Sequence, residues 1–115
     1  MTAIVTDKKI KVRGKEYKIS FPTVGQYYSI EAMKQSLGKG FYNTLLGNPT
    51  KTAQEALDMI DIEATISVLV PDLLKDLKVR DFSELGLADY KEIKEVYNSE
   101  VYPFLKEINL LLQEI

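Results

Sequence analysis

The sequence predicts an α+β fold: a small N-terminal antiparallel β-hairpin of two or three strands, followed by a mostly helical bundle of three to five helices. Three observations predict it. Apolar residues alternate over 9–21, the spacing changes to three- and four-residue steps from Val24 onward, and no alternating stretch recurs after Phe21. The last point excludes a parallel βαβ sheet and its nucleotide crevice. With 115 residues, 45% of them apolar, the chain has the size of one domain. No repeat or linker divides it, so 1–115 reads as a single unit with a hairpin region at 1–22 and a helical region at 23–115.

Each element has a local cause. Ile10 and Val12, then Tyr17, Ile19 and Phe21, place apolar side chains on one face of two strands, and Arg13-Gly14-Lys15-Glu16 between them supplies a glycine for the turn. The short run Ala3-Ile4-Val5 is a candidate third strand, because an isolated hairpin is marginal in water. Pro22 ends the strand, and Thr23-Val24-Gly25-Gln26 has capping-box spacing. The first helix then carries Val24, Tyr27, Ile30 and Met33 or Leu37 on its apolar side, Glu31, Lys34 and Gln35 on the other, and stops at Gly38. Phe41, Tyr42, Leu45 and Leu46 form a short apolar cluster before the turn signal Gly47-Asn48-Pro49.

Thr52-Ala53-Gln54-Glu55 reads as a second capping box and opens the most apolar helix, which Pro71 closes. It carries two stripes: Ala53, Leu57, Ile60, Ala64 and Val68, and Met59, Ile62, Ile66 and Leu69. Such a helix is central to its fold or part of an interface. Leu73, Leu74 and Leu77 make a short turn after Pro71, and Asp81-Phe82-Ser83-Glu84 makes another before Gly86. From Asp89-Tyr90-Lys91-Glu92, a third box-like start, a long amphipathic helix runs through Tyr90, Ile93, Tyr97, Val101, Phe104, Ile108, Leu111 and Ile115. Pro103 inside it removes a donor and crowds the carbonyl of Ser99, which predicts a kink or two consecutive helices.

Composition removes most catalytic chemistry. There is no Cys, His or Trp, hence no disulfide, thiol nucleophile, imidazole base or nitrogen and sulfur metal ligand. The acid pairs Asp58 with Asp61 and Glu92 with Glu95 read as solvated helix faces, and Gly38-Lys39-Gly40 lacks the strand, spacing and Ser or Thr of a phosphate loop. The expectation is therefore a non-enzymatic protein with no cofactor and no metal. The first seven residues, with only Ala3-Ile4-Val5 apolar and no small-residue cleavage site, do not read as a signal peptide, and 64–71, the longest nearly uncharged stretch, falls well short of the roughly 18 to 20 residues that a membrane helix needs.

Two kinds of surface remain as candidates. Lys9, Lys11, Arg13, Lys15 and Lys18 form a basic patch on the hairpin, while 52–100 holds twelve acids and five bases. That asymmetry reads either as complementarity within one molecule or as head-to-tail self-association or capture of a charged partner. On the helices, Tyr102 with Val96, Leu105 and Leu112 forms a strip off the main apolar face. Met59, Ile62, Tyr102, Leu105 and Leu112 are the candidate partner-binding residues, and 108–115 stays apolar to its last residue.

The segment Ile10-Lys11-Val12-Arg13-Gly14-Lys15-Glu16-Tyr17-Lys18-Ile19-Ser20-Phe21-Pro22-Thr23, a charged hairpin that ends in Phe-Pro-Thr and leads directly into a helix, resembles the small tail assembly chaperones of long-tailed bacteriophages. The acidic, helical remainder is similar in character and length. The resemblance implies a protein of the infected host's cytoplasm that coats a helical tape-measure-like client, keeps it soluble and recruits tail-tube subunits without catalysis. It carries over no individual site residue. The alternatives are a small virion connector, which would use the same strips for permanent contacts, and a nucleic-acid-binding module built on the basic hairpin. The last is disfavoured, because Tyr17 and Phe21 belong to the apolar face rather than to a stacking platform.

Overall fold

A computed structural model describes residues 7–39, 44, 46–47 and 50–106. In chain order its elements are β1 (Asp7–Val12), β2 (Lys15–Ser20), α1 (Val24–Leu37), α2 (Lys51–Leu69), α3 (Pro71–Leu77), a 3-10 turn (Phe82–Glu84), α4 (Leu87–Val96), a π-helical turn (Tyr97–Val101) and α5 (Tyr102–Leu105). The class is α+β, with the hairpin first and helices after it. The chain gathers into two compact units, Met1–Phe21 with Phe82–Ile115, and Pro22–Asp81. The expected strand at Ala3, the cluster at Phe41, Tyr42 and Leu45, and the apolar tail 108–115 lie outside the described residues.

In the first unit, β1 and β2 pair antiparallel from Asp7 opposite Ser20 to Val12 opposite Lys15. Only Arg13 and Gly14 connect them, with φ of 52° and 78°. Two successive positive φ values belong to the turn whose twist matches that of the flanking strands, so the four-residue turn expected at 13–16 contracts to two. Ile10, Val12, Tyr17 and Ile19 are buried, whereas Asp7, Lys9, Lys11, Glu16, Lys18 and Ser20 face out. Two strands cannot hold that pattern alone. β1 lies against α4, and Phe82, Ile93, Val101 and Leu105 continue the buried set. Phe21 meets Phe104 edge-on with centroids 5.8 Å apart, and Phe82 meets Tyr90 in the same manner at 6.0 Å.

The chain remains helical from α4 through α5, but its register changes ahead of Pro103. Tyr102 N–H donates to the carbonyl of Tyr97, five residues back, and the Ser99 hydroxyl donates to the carbonyl of Glu95 at 2.8 Å. This wider turn is how the helix accommodates a proline that lacks a donor and whose ring presses on the preceding turn. The expected interruption is thus a π turn. α4 itself begins at Leu87 after Gly86, with no side-chain cap, rather than at the box-like Asp89-Tyr90-Lys91-Glu92.

In the second unit, the Thr23 hydroxyl accepts from Gln26 N–H at 3.1 Å and the Gln26 side-chain Oε1 accepts from Thr23 N–H at 3.0 Å, the expected capping box. α2 starts two residues earlier than its sequence signal, because Thr50 rather than Thr52 is the cap: its hydroxyl accepts from Ala53 N–H at 3.2 Å. α2 packs on α1 and α3. Its C-terminal half buries Ile62, Ala64, Thr65, Ile66 and Leu69, so both stripes meet protein there, and the central-helix reading is the one that applies. On α1 the expected apolar side holds at Ile30, which is buried, and at Tyr27, Met33 and Leu37, which are half-buried. Val24 departs from it and is exposed, and Lys34, expected on the solvent side, is turned inward with its side chain 18% exposed and pairs with Glu31 at 3.2 Å and Asp61 of α2 at 3.8 Å.

Two of the three helices of this unit, α1 and α3, end with lysine where glycine is favoured. Gly38 has φ −75°, and the left-handed residue is Lys39 at 52°. At the end of α3, Lys78 has φ 59°, Lys78 N–H donates to Lys75 C=O at 3.1 Å, and Val79 N–H donates to Leu74 C=O at 3.2 Å. That bond pair is the Schellman motif, in which the left-handed position costs an ordinary residue roughly 1–2 kcal/mol. Replacing Lys78 with Gly is expected to raise unfolding free energy by about 0.5–1 kcal/mol, after the greater unfolded-state entropy of glycine is subtracted. Urea denaturation of Lys78→Gly beside the parent chain measures it; a loss of stability would contradict the strain.

Candidate interaction surfaces

The five basic residues of the hairpin do not form one patch. Opposed residues of an antiparallel pair share a face, so Lys9, Lys11 and Lys18 stand together on the exposed side with Asp7 and Glu16. Lys15 is opposite Val12, on the other side, and its ammonium lies 5.5 Å from the centroid of the Tyr17 ring. Arg13 is turned to α4. Its backbone N–H, which the two-residue turn leaves outside the ladder, donates to Glu92 Oε2 at 2.8 Å, and its guanidinium Nε lies 3.7 Å from Asp89. Asp7 serves two neighbours, accepting from the Ser20 hydroxyl at 2.9 Å and pairing with Lys18 at 3.5 Å. Among the described residues, Lys9 and Lys11 have no acidic partner.

Sequence reasoning missed the acceptors of Arg13. Asp89 and Glu92 were assigned to a cap and to a solvated face, yet they are one helical step apart and both serve the hairpin turn. The available signal was the turn itself: a two-residue connection exposes a backbone donor that something must satisfy. The same holds for Lys34 and Asp61, whose pairing across two helices no local spacing announces.

The apolar candidates divide as well. Ile62 is 1% exposed and Leu105 is 9% exposed, so both belong to the interior and neither offers a contact surface. The reason is that α2 and the α4–α5 segment are covered on more than one side by their own chain. Met59, 44% exposed, and Tyr102, 57% exposed, do face out. Tyr102 stands beside Tyr97 with centroids 6.5 Å apart. Leu112 lies outside the described residues. Further exposed residues are ones the sequence reading does not single out as surface: Leu87 at 85% at the start of α4, and Val24 at 75% and Tyr28 at 67%, one turn apart on α1, Val24 against its expected place on the apolar side. Tyr27 meets the Tyr28 ring at 6.2 Å.

The described residues hold no group of three or more carboxylates arranged to take a metal ion, and none of their helices is long and apolar enough to cross a membrane. Asp58 and Asp61, weighed as an acid pair, part company: Asp58 is exposed while Asp61 pairs with Lys34.

The Arg13 contacts separate into a backbone and a side-chain part. Glu92→Ala leaves the turn N–H without its protein acceptor and is expected to lower unfolding free energy by about 1 kcal/mol. Arg13→Asn keeps that N–H, relieves the left-handed strain and loses only an exposed ion pair, so its net effect is expected within about 0.5 kcal/mol of zero. Equal losses in the two variants, measured by chemical denaturation, would mean that the guanidinium is the anchor.

No protein family, curated protein or solved structure matches this chain, so its own residues carry any functional reading.

Proposed function

We propose that this chain is a non-enzymatic assembly protein of the kind its hairpin segment resembles, a phage tail assembly chaperone. In this reading it works in the cytoplasm of the infected host, holds a helical tape-measure-like client, and hands it to tail-tube subunits. The observation that supports it best is the exposed pair Val24 and Tyr28, spaced one turn apart on α1, with the edge of Tyr27 beside them. An i, i+4 apolar pair is the unit by which one amphipathic helix receives another, and tyrosine gives contact area with a polar tip that tolerates water when the client is absent. Tyr102 beside Tyr97 supplies a second exposed aromatic of the same character. The nucleic-acid reading loses support, because Arg13 is committed to Asp89 and Glu92 and Lys15 lies on the other side of the sheet.

Co-expression with a long helical tape-measure protein tests the proposal. The client is expected to stay in solution with this chain bound, and Val24→Ser with Tyr28→Ser is expected to weaken binding about tenfold, equivalent to about 1.4 kcal/mol, without moving the melting temperature. A client that stays soluble without this chain, or binding indifferent to both substitutions, would sink it. Composition of finished particles separates the remaining alternative: a connector is retained at fixed copy number, and a chaperone is absent.

A further inference from the structure

Charge in this chain is segregated far more sharply than its net −2 conveys. Residues 8–18 carry six basic side chains and one acid, and residues 52–74 carry five acids and no base. In the first segment, Lys9, Lys11 and Lys18 share the exposed face of the hairpin, and Lys9 stands directly opposite Lys18. Opposed like charges destabilise a sheet, so this arrangement works against the hairpin's own stability. Lys18 has Asp7 at 3.5 Å and Lys11 stands opposite Glu16, whereas Lys9 has a lysine, not an acid, opposite it.

In the second segment, Asp61 pairs with Lys34, whereas Glu55 and Asp58 are exposed three residues apart on α2. Glu55 has only Lys51, at 4.0 Å on the same helix. Residues three apart on a helix are separated by about 4.5 Å along its axis. Directly opposed residues on antiparallel strands are separated by about 4.5–5.5 Å. The carboxylate pair and the lysine pair therefore have matching spacing, with Lys11 two residues along β1 to extend the contact.

We infer that the exposed hairpin face of one molecule docks on the Glu55 and Asp58 face of α2 in a second copy of this chain. The two patches differ, so each contact is heterologous: it closes as a two-fold dimer where both patches of a pair meet reciprocally, and otherwise propagates into a ring or an open chain. A second copy fits better than a nucleic acid. Tyr17 is buried on the opposite side of the sheet, where it cannot stack on a base, and the rest of the chain is net acidic. The inference uses other residues than client binding does and fails or stands separately from it.

Sedimentation velocity of the full chain over a range of concentrations tests it, at about 10 mM salt, where charges are screened over about 30 Å, and at 0.15 M, where the distance is about 8 Å. Species larger than the monomer are expected at low salt, with association about tenfold or more weaker at the higher salt. Lys9→Glu with Lys11→Glu, and separately Glu55→Lys with Asp58→Lys, are each expected to leave monomers with an unchanged circular dichroism spectrum. Mixing the two variants, or combining all four substitutions in one chain, is expected to restore association. Lys9→Gln with Lys11→Gln removes the charge more gently and is expected to weaken association too. A parent chain that stays monomeric at low salt would overturn the inference, as would a charge swap that restores nothing. So would a DNA or RNA duplex bound through Lys9 and Lys11 while self-association ignores them.

Discussion

A two-stranded hairpin has one apolar face, and that face must be covered or the hairpin melts. In the hairpin unit the covering comes from the far end of the sequence. Ile10, Val12, Tyr17 and Ile19 are buried together with Phe82, Ile93, Val101 and Leu105, and Phe21 closes on Phe104. Each such aliphatic side chain contributes roughly 1.5–3 kcal/mol when withdrawn from water. The requirement explains why α4 lies along β1 and why the helix continues past Pro103. A break there would pull Val101 and Leu105 away from the buried set, and the π turn keeps the chain helical while accommodating the proline.

Polar contacts refine this arrangement rather than drive it. The hairpin turn leaves Arg13 N–H outside the ladder, and α4 brings Glu92 to it with Asp89 beside the guanidinium. In the helical unit the inward ammonium of Lys34 finds Asp61 on the neighbouring helix. Exposed pairs of this sort contribute little individually, but they orient elements that apolar packing alone would let slide. Part of the charge asymmetry along the sequence is thus used inside the molecule. The lysine face of the hairpin and the outer acids of α2 are the part left over.

Among the described residues, the exposed apolar surface is smaller than the helical stripes foretell. Ile62 and Leu105 are interior, and the large apolar residues that face out are Val24, Tyr28, Met59 and Tyr102, with Leu87 at the start of α4 and Leu46. A client-binding role therefore concentrates on a few side chains, chiefly the pair on α1, instead of a broad groove lined by both stripes of α2.

Local chemistry made much of the fold readable. Period-two alternation announced the hairpin, Thr23 with Gln26 announced α1, Pro71 announced the break between α2 and α3, and Pro103 announced a fault in the last helix, because each of these effects acts within a few residues of its cause. What could not be read in this way depends on neighbours distant along the chain. That Val24 is exposed and Lys34 turned inward on α1, whether Thr50 or Thr52 caps α2, which carboxylates receive Arg13, and whether Ile62 and Leu105 are surface or core are all settled by packing. An apolar residue in a helix has the same local preference whether its cover is another helix of the same chain or a different molecule. Only the assembled fold distinguishes the two.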